Sequence, residues 1–218
     1  MFPVTDLAAS SAELPQTSRR RTLALAASGL LALAPTLRED AAARKRKKRR
    51  RRRKKKPAAP APAVQVAAAC TGASNFSAGV EPPQRFAQTF TPNVSGNLIR
   101  AEVTIEKEAD SVGDYFLHLG RVDNFGVPTN EVLAVASVAN PDVSVGRSTV
   151  TFTFPNPGTL TAGARFALVL NRTGLGLLLW DLIVGDQCGG EAFRSKGQTA
   201  PFTPFGSGSD FVYTVFVQ

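Results

Sequence analysis

The sequence predicts an all-β fold, a two-sheet antiparallel sandwich of jelly-roll type, behind an N-terminal third that does not fold. Three observations predict it. From Gln84 onward apolar residues recur with a period of two, and Gly, Pro, Asn and Asp punctuate the chain about every eight to fifteen residues. Almost no stretch there carries the 3.6-residue period of an amphipathic helix. The first third combines an apolar leader with an unbroken run of Lys and Arg, and neither can contribute to a core. That leaves about 150 of the 218 residues to fold, enough for one core burying about two-thirds of its unfolded surface without help from a metal.

The first element is a leader over residues 1–43. A basic patch, Ser18 to Arg21, precedes the apolar stretch from Thr22 to Ala34. Thirteen residues are too few to anchor in a bilayer and fit the apolar region of a cleavable export signal. Small residues at Ala41 and Ala43 place cleavage between Ala43 and Arg44, so the mature chain is expected to carry no transmembrane span. The paired Arg19 and Arg20, followed by Leu23, resemble the twin-arginine consensus of bacterial signals, with Thr22 where that consensus most often has an aromatic residue. The resemblance implies export in the folded state. That route avoids threading a dense positive charge outward, against the bias that keeps Lys and Arg inside.

The second element, residues 44–69, is expected to be a disordered linker. Residues 44–56 read RKRKKRRRRRKKK, thirteen cations that repel one another and stay extended. They account for more than the whole formal net charge of +9. From Pro57 onward nine Lys and Arg face thirteen Asp and Glu, a net of −4. The polycation binds polyanions by counterion release, without reading their sequence. Behind an export signal, its expected partners are anionic surface polymers or lipid headgroups. The alternative is a nucleic-acid-binding arm, although no aromatic residues are interleaved for base stacking. Residues 57–69, PAAPAPAVQVAAA, read as an extended Pro-Ala spacer.

The third element is the domain, residues 70–218. In Leu98–Glu106, Ile99, Ala101, Val103 and Ile105 face one way and Arg100, Glu102, Thr104 and Glu106 the other. Ser148–Phe154 alternates likewise, Val150, Phe152 and Phe154 against three threonines. Further strands are expected over 85–90, 114–122, 131–138, 164–170, 177–184 and 211–217, about eight in all. Cys70 and Cys188, the only cysteines, read as one disulfide pinning the start of the domain to a late loop in an oxidising compartment.

Several phrases in order, AQTFTP, SGNLIRAEV, VDNFGVPTNEVLA, LTAGARFALVL and DFVYTVFV, together resemble the carbohydrate-binding-like jelly-roll modules of secreted bacterial proteins. The resemblance implies a sandwich and a cell-exterior setting, with carbohydrate as a candidate partner. It transfers no ligand residues.

Chemistry is sparse. His118, the single histidine, is expected on the strand face opposite Tyr115, Leu117 and Leu119, so no Ser-His-Asp triad assembles without it. Glu102 and Glu106 share a wet strand face about 13 Å apart. Asp181 and Asp186 flank a turn at Gly185, and no regular oxygen-ligand spacing marks a calcium loop. Gly174 and Gly176 lack the Lys-Ser or Lys-Thr of a phosphate loop. Trp180, the only tryptophan, is the one candidate aromatic for a sugar platform, although its apolar run reads more simply as core. Sequons stand at Asn75, Asn93 and Asn171. No catalytic, cofactor-binding or metal residue is expected, and the chain reads as a non-enzymatic, envelope-associated binding or adhesion module.

Overall fold

A computed structural model describes residues 60–218 except 75, 186, 187 and 207. The expectations for Arg19, Arg20, Ala43, Arg44, the basic run, Asn75 and Asp186 lie outside the described residues. The chain divides into units 1–56 and 57–218, and the described residues belong to the second.

The domain is all-β, two antiparallel sheets packed face to face. In chain order the strands are β1 (Gln65–Cys70), β2 (Phe76–Val80), β3 (Arg85–Phe90), β4 (Gly96–Lys107), β5 (Tyr115–Val122), β6 (Pro128–Val138) and β7 (Gly146–Thr153). They continue as β8 (Thr159–Leu160), β9 (Phe166–Arg172), β10 (Leu178–Val184), β11 (Ala192–Ser195), β12 (Phe202–Pro204), β13 (Ser209–Phe211) and β14 (Tyr213–Val217). One sheet runs β1-β14-β4-β10-β13, with β2 on β10 and with β7 and β8 on β4. The other runs β12-β11-β3-β9-β5-β6. Successive strands cross repeatedly from one sheet to the other, so each sheet offers one face to a shared core.

That core follows from alternation. Phe86, Leu117, Leu119, Leu168 and Leu170 point inward from the six-stranded sheet and meet Ala101, Val103, Ile105, Phe152 and Val215. Trp180 stacks on Phe211 with ring centroids 4.6 Å apart, and Phe211 lies 4.8 Å from Phe86. Such pairs add about 1 kcal/mol each to the burial of their area.

Two details depart from the sequence reading. The spacer expected through Ala69 gives way to strand at Gln65. Beyond Pro62 the chain has no proline until Pro82, and β1 pairs with β14 from Gln65↔Val217 to Cys70↔Tyr213, burying Ala67 and Cys70. In β4 the inward residue near the start is Leu98, fully buried, rather than Ile99. The pairing with β14 skips from Arg100↔Phe216 to Leu98↔Val217, a bulge that exchanges the two faces.

Candidate functional site

The disulfide forms as expected. Cys70, at the end of β1, is bonded to Cys188 in the loop after β10, with Cα atoms 5.2 Å apart. Trp180 is no sugar platform. Its ring is fully buried and its indole Nε1 donates to the Val212 carbonyl at 2.9 Å. The reason is topological: β10 is paired on both sides, and its inner face looks into the core.

The expected wet face of β4 is wet. Glu102 lies 3.8 Å from Arg100, and Glu106 accepts from Ser77 Oγ at 3.0 Å. Beside it Asp181 is fully buried, pairs with the Arg147 guanidinium and lies 2.9 Å from the same Ser77 hydroxyl. Ser77 has one proton for two carboxylates, so it serves one of them at a time. Burial raises the Asp181 pKa above its ordinary value against the pull of Ser77 and Arg147, and Glu106 adds to the rise.

At one end of the sandwich, loops converge on cations that the chain itself supplies. Arg172, at the end of β9, is 1% exposed and donates to the carbonyls of Val112 (2.7 Å), Leu175 (2.5 Å) and Leu177 (2.9 Å) and to Ser111 Oγ (3.1 Å). Lys107 Nζ likewise donates to the carbonyls of Asn140 and Val143. Gly174 and Gly176 belong to this corner. Both adopt positive φ, and a Cβ on Gly176 would press on Ser111 and Arg172. An adjoining cleft of about 330 Å³ is lined by Glu81, Glu108, Leu175 and Leu177. Leu175 is 74% exposed at its rim.

The outer face of the six-stranded sheet carries a further polar arrangement. Pairing places Ala87, Val169, His118 and Val135 in one transverse row across β3, β9, β5 and β6. The next row carries Ser195, Arg85, Asn171, Phe116 and Ser137. A small second core of Ala87, Ala167, Val169, Phe193 and Phe202 forms on this outer face, flanked by Val122 and Val127.

Residues 197–202 pass over the row as a strap. Ser195 Oγ reaches the carbonyls of Gly197 and Ala200, Asn130 Nδ2 donates to the Thr199 carbonyl at 3.1 Å, and Asn171 Nδ2 reaches Gln198 Oε1 at 3.4 Å. Beneath it Arg85 is 5% exposed. Its Nη2 donates to Asn130 Oδ1 at 2.8 Å and lies 3.4 Å from Ser195 Oγ and the Ala200 carbonyl, and its guanidinium sits 4.7 Å above the Phe202 ring. His118 is half-buried beside it, and both burial and the Arg85 charge lower its pKa.

Sequence reasoning placed His118 on this face but missed Arg85 and Asn171. Their one signal was a cationic residue at the start of one strand and an amide residue near the end of another. It also missed the accessible aromatics: Phe76, at the start of β2, is exposed, and Phe125, at the β5–β6 hairpin tip, is 88% exposed. Asp123 Oδ1 fixes that turn by accepting from the backbone N–H groups of Phe125 and Val127, both at 2.9 Å.

No family model matches the chain, and no curated protein matches it. Among solved structures it is similar to a clostridial cysteine protease after propeptide cleavage, with TM-score 0.45 and 14% identity over 65% of this chain and 37% of that one. It is also similar to the cysteine protease and lectin-like domains of a surface layer associated protein of Clostridium difficile, with TM-score 0.45 and 14% identity over 64% of this chain and 33% of that one. The chain thus spans about a third of the length of these structures.

Proposed function

We propose that this protein is exported by the signal in residues 1–43, is held on anionic surface polymers by the cations of residues 44–56, and presents its β-sandwich as a non-enzymatic binding module. The observation that carries this reading is the Cys70–Cys188 disulfide, which joins residues 118 positions apart and closes the first strand onto the domain. A bond of this kind persists in an oxidising compartment and is rare in a reduced cytosol. The charge division supports the rest: the excess cations are confined to residues 44–56, ahead of a domain of net −4, so polyanion binding belongs to that segment rather than to the domain.

Cell fractionation with N-terminal sequencing, with and without a high-salt wash, tests the reading. The expected product starts at Arg44, stays with the envelope at low salt and is released by high salt. An intact Met1 in the cytosol, on a protein that co-purifies with nucleic acid until residues 44–56 are deleted, overturns it and makes the run a nucleic-acid arm.

A further inference from the structure

A cleft of about 450 Å³ opens where β5, β6 and β9 face residues 157–164. Its volume falls within the range of about 300–1,000 Å³ usual for small-molecule sites. Arg121, Leu133 and Phe166 form one wall, all from the six-stranded sheet. The other wall carries Pro157, Thr159 and Thr161, around the strand β8 that pairs with β4 of the second sheet. That wall is pinned from behind. The Gly158 carbonyl accepts the Leu98 N–H at 2.8 Å, the Ala162 N–H donates to Ser95 Oγ at 2.8 Å, and the Gly163 N–H donates to the Pro92 carbonyl at 2.9 Å. Gly158 sits so close to β5 and β6 that a Cβ there would lie 2.8 Å from Leu119 Cδ2 and 3.3 Å from Ala134 Cβ. The cleft is therefore preformed, and its polar side chains, Arg121, Thr159 and Thr161, are exposed to solvent.

The rim is mixed both in charge and in hydrogen-bonding sense. Arg121 Nε donates to Glu131 Oε1 at 2.8 Å, and the two side chains are 58% and 59% exposed. That bond leaves the Arg121 Nη groups as donors and Glu131 Oε2 as an acceptor, neither with a partner among the described residues. Thr159 Oγ1 donates to Asn97 Oδ1 at 3.1 Å, so its remaining capacity is to accept. The exposed Thr161 hydroxyl can do either. A carboxylate or phosphate satisfies the donors but stands beside Glu131, and an ammonium satisfies the acceptors but stands beside Arg121. A hydroxyl both donates and accepts, and it carries no charge for either residue to repel. Leu133, Pro157 and Phe166 add an apolar patch against which C–H groups can lie. Several hydroxyls around a ring with an apolar face is the chemistry of a pyranose.

We infer that this cleft binds a neutral saccharide, with the hydroxyls of one pyranose unit on Arg121, Glu131 and Thr161 and its C–H face on Leu133 and Pro157. The inference rests on the reading of the domain as a binding module and names its site and the class of its ligand.

The test is a titration of the ¹⁵N-labelled full chain, at a salt concentration that strips residues 44–56 from polyanions, read at the Arg121 Nε–H and the backbone amides of Thr159 and Thr161. The probes are the neutral trisaccharides cellotriose, maltotriose, mannotriose and triacetylchitotriose, the acidic trigalacturonate and the basic triglucosamine. The expected result is saturable shifts at all three groups with at least one neutral trisaccharide, and weaker binding of both charged ones. Equal or tighter binding of either charged probe overturns the neutral assignment, and silence with every probe overturns the site.

Arg121→Gln breaks only an exposed ion pair, so it is expected to melt as the parent does. Its affinity for the neutral trisaccharide should fall about tenfold, and that of Thr161→Val about threefold. Thr151→Val, on the exposed face of β7, should leave that affinity unchanged. Parental affinity in either cleft variant, or an equal loss in Thr151→Val, refutes the site. The fractionation experiment is independent, so an envelope-bound protein with a silent cleft discards the saccharide and keeps the module.

Discussion

Replacing both cysteines, Cys70→Ala with Cys188→Ala, removes the cross-link and leaves the strands to hold β1 unaided. The cross-link spans 118 residues. In the chain-entropy account, loop closure of that length takes about 16 cal/mol/K from the unfolded ensemble, or about 5 kcal/mol at 25 °C. Ordinary domain stability is about 5–15 kcal/mol, so the loss is a third or more of the total. The assay is equilibrium urea unfolding of the oxidised parent and the double variant, read by Trp180, whose buried ring on Phe211 reports the centre of the core. The variant is expected to lose about 3–5 kcal/mol and to show a larger m-value, because its unfolded state is less constrained. Fraying of β1 should precede the main transition, since β1 is an edge strand whose one strand partner among the described residues is β14, supplemented by the Asn93 N–H donated to the Ala67 carbonyl. A variant within about 1 kcal/mol of the parent, with an unchanged m-value, would refute the argument that the bond acts by closing a long loop.

Three further outcomes concern buried ionisable groups. Arg147→Ala strips the cation from the fully buried Asp181 and also removes a donor from the Ser74 carbonyl. With the Arg147 side chain 46% exposed, the expected loss by urea unfolding at neutral pH is about 2 kcal/mol, below the 3–5 kcal/mol of a fully buried pair. Asp181 has a raised folded pKa, so its stabilising contribution is present below the unfolded value of 3.8 and lost as pH rises through the folded value. The stability of Asp181→Asn relative to the parent should therefore improve with rising pH across that window, and a flat difference refutes the assignment. Tyr115 and Tyr213, the only tyrosines, are 0% and 2% exposed, and burial raises both phenol pKa values. Phenolate absorbance should then be missing in the native protein at the pH where free tyrosine ionises, about 10, and should rise only with unfolding. Early ionisation of either ring contradicts its burial.

The fold was legible wherever a strand had one wet face. Ser148–Phe154 alternates cleanly, and the structure buries Val150, Phe152 and Phe154 while exposing the threonines between them. Strands β8, β11, β12 and β13 are two to four residues long, too short to express a period. β1 was hidden because its alanines suit an extended spacer and a strand alike, and only the edge of β14, far away in sequence, decides between them. The bulge at Ile99 is likewise set by the partner strand. The burial of Arg85 was illegible for the same reason. Arg85 opens a strand, where a charged residue ordinarily reads as solvated. What buries it are residues 110 to 115 positions later in the chain.

The loop acids illustrate how function can be misread from composition. An acidic domain with acid-rich turns invites a calcium site, and three of the turn carboxylates bond backbone amides: Glu108 accepts the Leu177 N–H, Asp114 the Asn140 N–H and Asp123 two N–H groups of its own turn. Each satisfies backbone donors that a loop would otherwise leave to water. The carbonyls of the same region, which a calcium ion would also require, converge instead on Arg172 and Lys107. Side-chain cations thus occupy the positions where these loop carbonyls gather, and Glu108, Asp114 and Asp123 bond amides. Arg172 and Asn171 are consecutive on β9 and so point to opposite faces. Arg172 closes the end of the sandwich with four bonds, its Nε alone buried without an acceptor, and on the opposite face Asn171 Oδ1 likewise has no donor among the described residues. Within one strand, then, one residue ties loop carbonyls to the end of the sandwich while its neighbour faces residues 197–202, where Asn171 Nδ2 reaches Gln198 Oε1.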